Sequence, residues 1–296
     1  VYHFAVSLGN QVEGKLIRMA EEHRRLIDQF LGERKDDLRF AAATNTFREL
    51  SNESNLQKLL KNLQSGSRAF FDLGVFDRAG NHVAYTGPYE LAGKNYAGEE
   101  WFKKVQKKGV YISDVFLGFR NIPHFVIAVR EGDGTREWYL RATIDTLFFN
   151  QLVENVRIGK TGEAYLVNEE GKFQTRRRSG GDLMELDNDS HLYEFEPGRT
   201  VSFSAEDRSG THHLYAVSKL EHTGWLLVVR QEFIDAYTPL AKAVISAIGL
   251  IVGGGAVVML IAFFLATSLA NRLTMADMEK RQMKTQLIMA GRLAEV

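Results

Sequence analysis

The sequence predicts an α+β fold: one long N-terminal helix carrying two small antiparallel α/β modules, then a membrane-crossing helix and a short terminal helix. Three observations predict it. Apolar side chains recur at three- and four-residue steps through residues 8–42, the spacing of an amphipathic helix. Strand, turn, strand, an irregular middle and a three-strand meander follow one another twice between Ala69 and Gln231. Ala243–Ala270 is 28 residues without a charge, where a bilayer core needs about 20.

The elements follow in order. In residues 8–42, Leu16, Met19, Ala20, His23, Leu26, Ile27, Phe30 and Leu31 form one face, opposite Glu21, Arg24, Arg25, Asp28 and Glu33. A second helix is expected over Asn55–Gln64. Ala69–Phe76 is apolar and β-prone; Asp77-Arg78-Ala79-Gly80-Asn81 reads as a turn, and His82–Thr86 resumes as a strand. Glu99–Lys108 is a short helix. Val110–Leu117, His124–Arg130 and Glu137–Ile144 are β-rich runs, punctuated by Asn121-Ile122-Pro123 and Gly132-Asp133-Gly134. The second cycle has a helix over Thr146–Val156, strands over Glu163–Asn168 and Lys172–Thr175, a polar loop over 176–200, and strands over Val201–Ala205, His212–Lys219 and Gly224–Gln231. No residue pattern repeats between the cycles, so the repetition is structural. The expected divisions are 1–44 (long helix), 45–145 and 146–237 (the two modules), 238–270 (membrane helix) and 271–296 (terminal helix).

Composition excludes several classes. Among 296 residues there is no Cys, which removes disulfide scaffolds, thiolate zinc sites and cysteine nucleophiles. Lys plus Arg and Asp plus Glu are 37 each, which argues against a bulk nucleic-acid binder. No nucleophile–base pair or phosphate loop stands out. His212-His213 points to opposite strand faces and makes a poor metal site.

Gly249 and Gly253 put a small-xxx-small step in the apolar stretch, a surface on which membrane helices pack. Arg272, Lys280, Arg281, Lys284 and Arg292 follow the stretch, and Lys242 alone stands just before it. The positive-inside rule then puts 271–296 in the cytoplasm and residues 1–240 outside. All eight His precede the stretch, out of reach of cytoplasmic ATP. A large outer domain needs export, so a removed signal or first membrane helix is expected before Val1. Leu273, Ala276, Lys280, Met283, Leu287, Ala290 and Ala294 fit a short coiled-coil seam; the alternative is an amphipathic helix on the inner leaflet.

Polar and aromatic residues on the apolar strands and loops of the first module are the candidate ligand contacts: Tyr85, Tyr96, Trp101, Phe116, Arg120, His124 and Asp145. A small-molecule pocket is typically aromatic with a few convergent polar groups, and Arg binds carboxylates in bidentate fashion. The same aromatics also suit plain core, Arg120 also suits a surface pair with Asp114, and Arg176-Arg177-Arg178 suits a solvated loop.

His23-Arg24-Arg25-Leu26-Ile27-Asp28-Gln29-Phe30-Leu31-Gly32-Glu33-Arg34 resembles the start of the outer sensor domain of bacterial sensor histidine kinases. Tyr111–Arg120 with Pro123-His124-Phe125 resembles the ligand-side region of a double Cache domain, and Gly159–Asn168 with Gly171 the start of its second module. Gln286–Val296 is similar to the helix before the phosphoacceptor box of such kinases. The resemblance implies two PAS-like modules, a homodimer, two membrane helices per subunit, and a ligand in the membrane-distal module. It also implies a missing kinase domain that uses ATP and Mg and passes phosphate to a response regulator; this chain itself shows no catalytic equipment or cofactor. In the amino-acid-binding members, an Arg two residues before a Trp-aromatic pair holds the ligand carboxylate. Trp101-Phe102 matches the pair, but Glu99 stands at the Arg position. Asp145 matches the acidic grip on the ligand amine, and a second acidic position falls on Gly118. These departures point to a small organic carboxylate or amine.

The expected function is therefore ligand sensing and transmembrane signalling for a sensor histidine kinase in a bacterial inner membrane. The alternatives are the sensor of a chemoreceptor or cyclase, and a membrane-tethered protein-interaction module without a small-molecule ligand.

Overall fold

The structure, a computed structural model, describes residues 2–132, 136–155, 158–196 and 198–293, with side chains between 9 and 285. The turn expected at Asp133-Gly134, the helix end at Val156 and the terminal Ala294-Glu295-Val296 lie outside the described residues. The chain divides into two compact units, Val1–Tyr237 and Thr238–Val296.

In the first unit, helix α1 (Tyr2–Ala43) buries one stripe, including Leu16, Ala20, His23, Ile27, Leu31 and Leu38. Leu26, expected on that stripe, is exposed. A short helix α2 (Phe47–Leu50), not expected from sequence, exists because Thr46 and Glu49 form a reciprocal capping box. Helix α3 (Glu53–Gly66) starts at an Asn52 cap.

The first module is a five-stranded antiparallel sheet in the order β2-β1-β5-β4-β3. Its strands are β1 (Phe70–Asp77), β2 (His82–Thr86), β3 (Val110–Ile112), β4 (Phe125–Glu131) and β5 (Trp138–Ile144), with helix α4 (Glu100–Lys108) between β2 and β3. The β3 strand stops five residues short of the expected Leu117. The Ser113 hydroxyl accepts the Val126 N–H at 3.0 Å, so a side chain replaces the next backbone acceptor and the ladder ends. One sheet face packs on α1 and α3 through Leu73, Val75, Ile127 and Leu140. The other carries Phe76, Val126, Ala128 and Tyr139, covered by Trp101, Phe102 and Val105 of α4.

Helix α5 (Thr146–Glu154) leads to the second module, whose sheet order is β6-β9-β8-β7. Here β6 is Glu163–Val167, β7 Val201–Glu206, β8 His212–Lys219 and β9 Leu226–Glu232. This order repeats β1-β5-β4-β3. Among the described residues the counterpart of β2 is missing: the strand expected at Lys172–Thr175 is reduced to isolated bridges, Val167 to Phe173 and Lys172 to Leu186. The expected loop 176–200 holds a 3-10 turn at Ser190–Leu192. Arg177 of that loop is not solvated as expected; it packs over the Tyr165 and Phe173 rings and pairs with Asp187 at 3.3 Å.

Asp114, just past β3, accepts from the Trp225 indole N–H at 2.6 Å and the Asn168 amide at 2.9 Å. The Val115 N–H donates to Gln174 Oε1 at 2.7 Å. Three second-module side chains thus hold two consecutive residues of the first. At the far end of β9, Asp235 Oδ2 accepts from Lys160 N, Thr161 N, Thr161 Oγ1 and Gln231 Nε2. These bonds favour the ionised carboxylate and hold its pKa down to about 2.

The membrane helix and the terminal helix, expected as separate segments, are one continuous helix α6 (Phe233–Leu293). It is the one helix among the described residues long and apolar enough to cross a membrane. The coiled-coil positions Leu273 and Met283 are exposed.

Asp114→Ala should cost about 1–2 kcal/mol, the scale of hydrogen bonds to a charged acceptor that is partly exposed. Denaturant unfolding of the full chain in detergent checks this.

Candidate functional site

The second face of the first sheet holds a charge inside its aromatic cover. Asp72 of β1, with Gly74 and Phe76, lies on this face, and its side chain is 0% exposed. Arg141 of β5 is fully buried nearby, its Nη2 3.9 Å from Asp72 Oδ1. The Arg141 guanidinium also stacks over the rings of Phe76, Tyr96 and Trp101 at 5.2–5.5 Å, a favourable use of ring quadrupoles.

The β3–β4 loop supplies the second guanidinium. Phe116 and His124 exchange both backbone hydrogen bonds. Between them a 3-10 turn (Gly118–Arg120) and left-handed backbone at Gly118 (φ 53°) and Asn121 (φ 54°) fold the chain inward. The Arg120 side chain is only 3% exposed, ion-paired to Asp72 and bonded to Thr143 Oγ1 at 2.6 Å. It does not pair with Asp114, which belongs to the bridge between modules. The Tyr85 hydroxyl donates to Asp72 Oδ2 at 3.1 Å; burial and the Asp72 charge raise its pKa.

Two histidines flank the cluster. His82 stacks on Phe76 (4.3 Å between centroids, 9°) and its Nδ1–H donates to the Leu91 carbonyl at 2.7 Å. Gly74 lies directly under this ring, where any Cβ would strike His82 Nε2. Burial, then Arg141, pushes the His82 pKa down to about 3. His124 packs on Phe116 at 4.5 Å, and burial, then Arg120, lowers it to about 4.

Of the sequence candidates, Tyr85, Tyr96, Trp101 and Arg120 meet around Asp72 and Arg141, and Phe116 and His124 form the adjoining pair. Asp145 has another task. Its Oδ1 caps α5, accepting from Leu147 N and Phe148 N at 2.9 and 3.1 Å. Asp145 appears in no ion pair with Arg120 or Arg141. The sequence reading missed Asp72, His82 and Arg141. The signal was present for two of them: one charged residue inside an otherwise apolar strand, in Phe70-Phe71-Asp72-Leu73 and Tyr139-Leu140-Arg141-Ala142.

The cluster is not closed on itself. Arg120 Nε, Arg141 Nε and Nη2, and Trp101 Nε1 are buried donors without a hydrogen-bond partner; Asp72 Oδ1 and His82 Nε2 are the unpaired acceptors. One carboxylate faces two guanidiniums. Trp101 and Phe116 also form part of the wall of a separate cleft of about 250 Å³, whose charged lining is Glu99, Glu100, Asp114, Glu170 and Lys172 and which neither guanidinium lines. The unpaired donors of the buried cluster itself are the groups suited to a small anion.

Asp72→Asn should destabilise the chain by about 3–5 kcal/mol, because it leaves buried guanidinium charge uncompensated; denaturant unfolding measures it. His82 gives a pH dependence. Its folded pKa lies below the unfolded value, so the unfolded chain binds more protons as pH falls. The stabilising effect of neutral His82 is complete above about 6.5 and is lost as pH falls towards about 3. Unfolding curves from pH 7 to 4 should show a steeper loss in wild type than in His82→Phe.

No curated protein matches the chain by sequence. Solved structures match by fold. The ligand-binding domain of the Pseudomonas fluorescens chemoreceptor CtaA, in complex with L-isoleucine, has TM-score 0.60 at 14% identity, over 80% of this chain and 99% of that one. That of the Pseudomonas aeruginosa PAO1 amino acid chemoreceptor PctB, with L-Arg, has 0.59 at 16%, over 77% and 98%. The extracellular domain of the candidate histidine kinase mmHK1S-Z3 has 0.61 at 12%, over 78% and 98%. At such identities the likeness is one of fold. The Cache domain family matches residues 4–240, both modules and the whole of the first compact unit except its first three residues; the chain belongs to the Cache domain family.

Proposed function

We propose that the chain is the extracytoplasmic sensing and transmembrane signalling part of a sensor histidine kinase, and that its distal module, residues 45–145, binds a small organic carboxylate. The observation that carries the ligand class is the buried cluster: two guanidiniums against one carboxylate, with four unpaired N–H donors. An anion satisfies those donors. An alkylamine would add charge of the sign already in excess. Asp145, expected to grip an amino-acid ammonium, caps a helix instead, and Glu99 stands where a cation would hold the α-carboxylate.

The ligand acts by binding one of two outer conformations better, so it shifts the population by no more than its differential affinity. The Arg120 loop is the element it meets, and the Asp114 bridge ties that loop to the second module and to β9, which runs into α6. The fold neighbours support the sensor role, since they include ligand-binding domains of chemoreceptors and the extracellular domain of a candidate kinase. In this reading the receptor works as a homodimer in the bacterial inner membrane. A cytoplasmic kinase domain uses ATP and Mg to phosphorylate a response regulator, and no nucleic acid takes part. A second reading, a protein-interaction module, is favoured by one observation: Leu117, Phe119 and Ile122 of the Arg120 loop are exposed.

Thermal unfolding of the full chain in detergent, with short mono- and dicarboxylates and with alkylamines, tests the proposal. A ligand of the native state raises stability by about 2.7 kcal/mol at a hundred times its Kd. The expected result is a dose-dependent rise with a carboxylate, abolished in Arg120→Gln and weakened several-fold in Trp101→Phe, which removes the unpaired N–H together with part of the ring under Arg141. A flat response to every carboxylate, or a rise with amines alone, overturns the ligand class.

A further inference from the structure

The second module also buries charge, with the opposite balance. Arg230 of β9 is 5% exposed. Its Nε donates to Glu163 Oε1 at 2.7 Å and its Nη2 to Ser179 Oγ at 2.9 Å, while Nη1 is buried without a hydrogen-bond partner. Two carboxylate oxygens face that nitrogen, Asp189 Oδ2 and Asp207 Oδ2, each at 3.6 Å and beyond hydrogen-bond reach; Asp189 Oδ2 also lies 3.7 Å from Arg177 Nη1 and Asp207 Oδ2 3.6 Å from His213 Nδ1.

Both carboxylates are held in place through their other oxygen. Asp189 Oδ1 accepts the Arg208 N–H at 3.0 Å. Asp207 Oδ1 accepts from Ser209 N, Ser209 Oγ and Thr211 N at 2.6–3.0 Å. The two Oδ2 atoms accept no hydrogen bond among the described residues, although both side chains are no more than 10% exposed. All three groups line one cleft of about 360 Å³. Its wall carries five carboxylates against three guanidiniums, a net formal charge of −2.

We infer that this cleft is a second ligand site, for a small organic ammonium compound with a hydroxyl or carbonyl oxygen next to the charge. The ammonium donates to Asp189 Oδ2 and Asp207 Oδ2, and the neighbouring oxygen accepts from Arg230 Nη1. The buried Arg230 Nη1, which lacks a hydrogen-bond partner, gains an acceptor, and the two Oδ2 atoms gain a donor. A buried guanidinium N–H is costly to leave without an acceptor, and the net charge selects a cation. Glu232, also on the cleft wall, directly precedes the first residue of α6. An occupant therefore touches the strand that becomes the membrane helix. The inference is independent of the carboxylate site in the distal module.

The test uses the full chain in detergent with ethanolamine as probe, ethylamine as the analogue lacking the oxygen, and acetate as the anion. Isothermal titration should show saturable ethanolamine binding, weaker binding of ethylamine, and no competition by acetate. Asp207→Asn and Asp189→Asn should each weaken ethanolamine at least about tenfold, the scale of one charge-assisted hydrogen bond. If either Asn variant fails to fold, the wild-type titration and the other variant decide. No ethanolamine binding at millimolar concentration, binding insensitive to the folded Asn variants, or displacement by acetate overturns the inference.

Discussion

The structure of the first module depends on one buried carboxylate. Asp72 sits where water does not reach and faces two guanidiniums that approach from different parts of the chain. Arg141 is fixed by the sheet and Arg120 by a loop, so the pairing decides where the loop folds. Gly74, His82, Tyr85 and the ring cluster of Phe76, Tyr96 and Trp101 follow, because each fills space or offers polar groups around this charge. A single carboxylate cannot balance two cations at low dielectric, so the cluster is stable but not satisfied.

Much of the architecture was legible because it rests on periodicity. The α1 stripe, the strand pairs and the uncharged stretch are each written as a local pattern, and each is found within a few residues of its expected place. The failures have physical causes. Ser113 ends β3 by a side-chain bond that no propensity encodes, and the second module lacks the strand that the analogy of the two cycles suggested. The continuity of α6 was hidden because apolar and charged stretches change composition without changing backbone.

The site was legible only in part. Aromatic residues and Arg120 stood out by type. Asp145 stood out by position at the end of a strand, where its carboxylate serves helix capping, a role that strand-end Asp residues fill for purely local reasons. Asp72 and Arg141 were masked by the apolar runs around them, although a charge inside such a run is the stronger signal, since burial makes a partner obligatory. The polarity of the second-module cleft was not legible, because Glu163, Asp189, Asp207 and Arg230 are spread over nearly seventy residues and only the fold brings them together.

The bridge at Asp114 bears on how such two-module chains can diversify. Trp225, Asn168 and Gln174 lie far along the chain from Asp114 and Val115, yet they hold them through side chains. The two modules look like separable units by fold order, but a recombination joint placed between them would cut a matched set of residues. A lineage acquiring a new distal module must therefore inherit its proximal partner as well, or re-evolve the joint residue by residue. Exchange would be tolerated outside that set, in the helices that flank the sensor, so the pair would travel through evolution as one cassette.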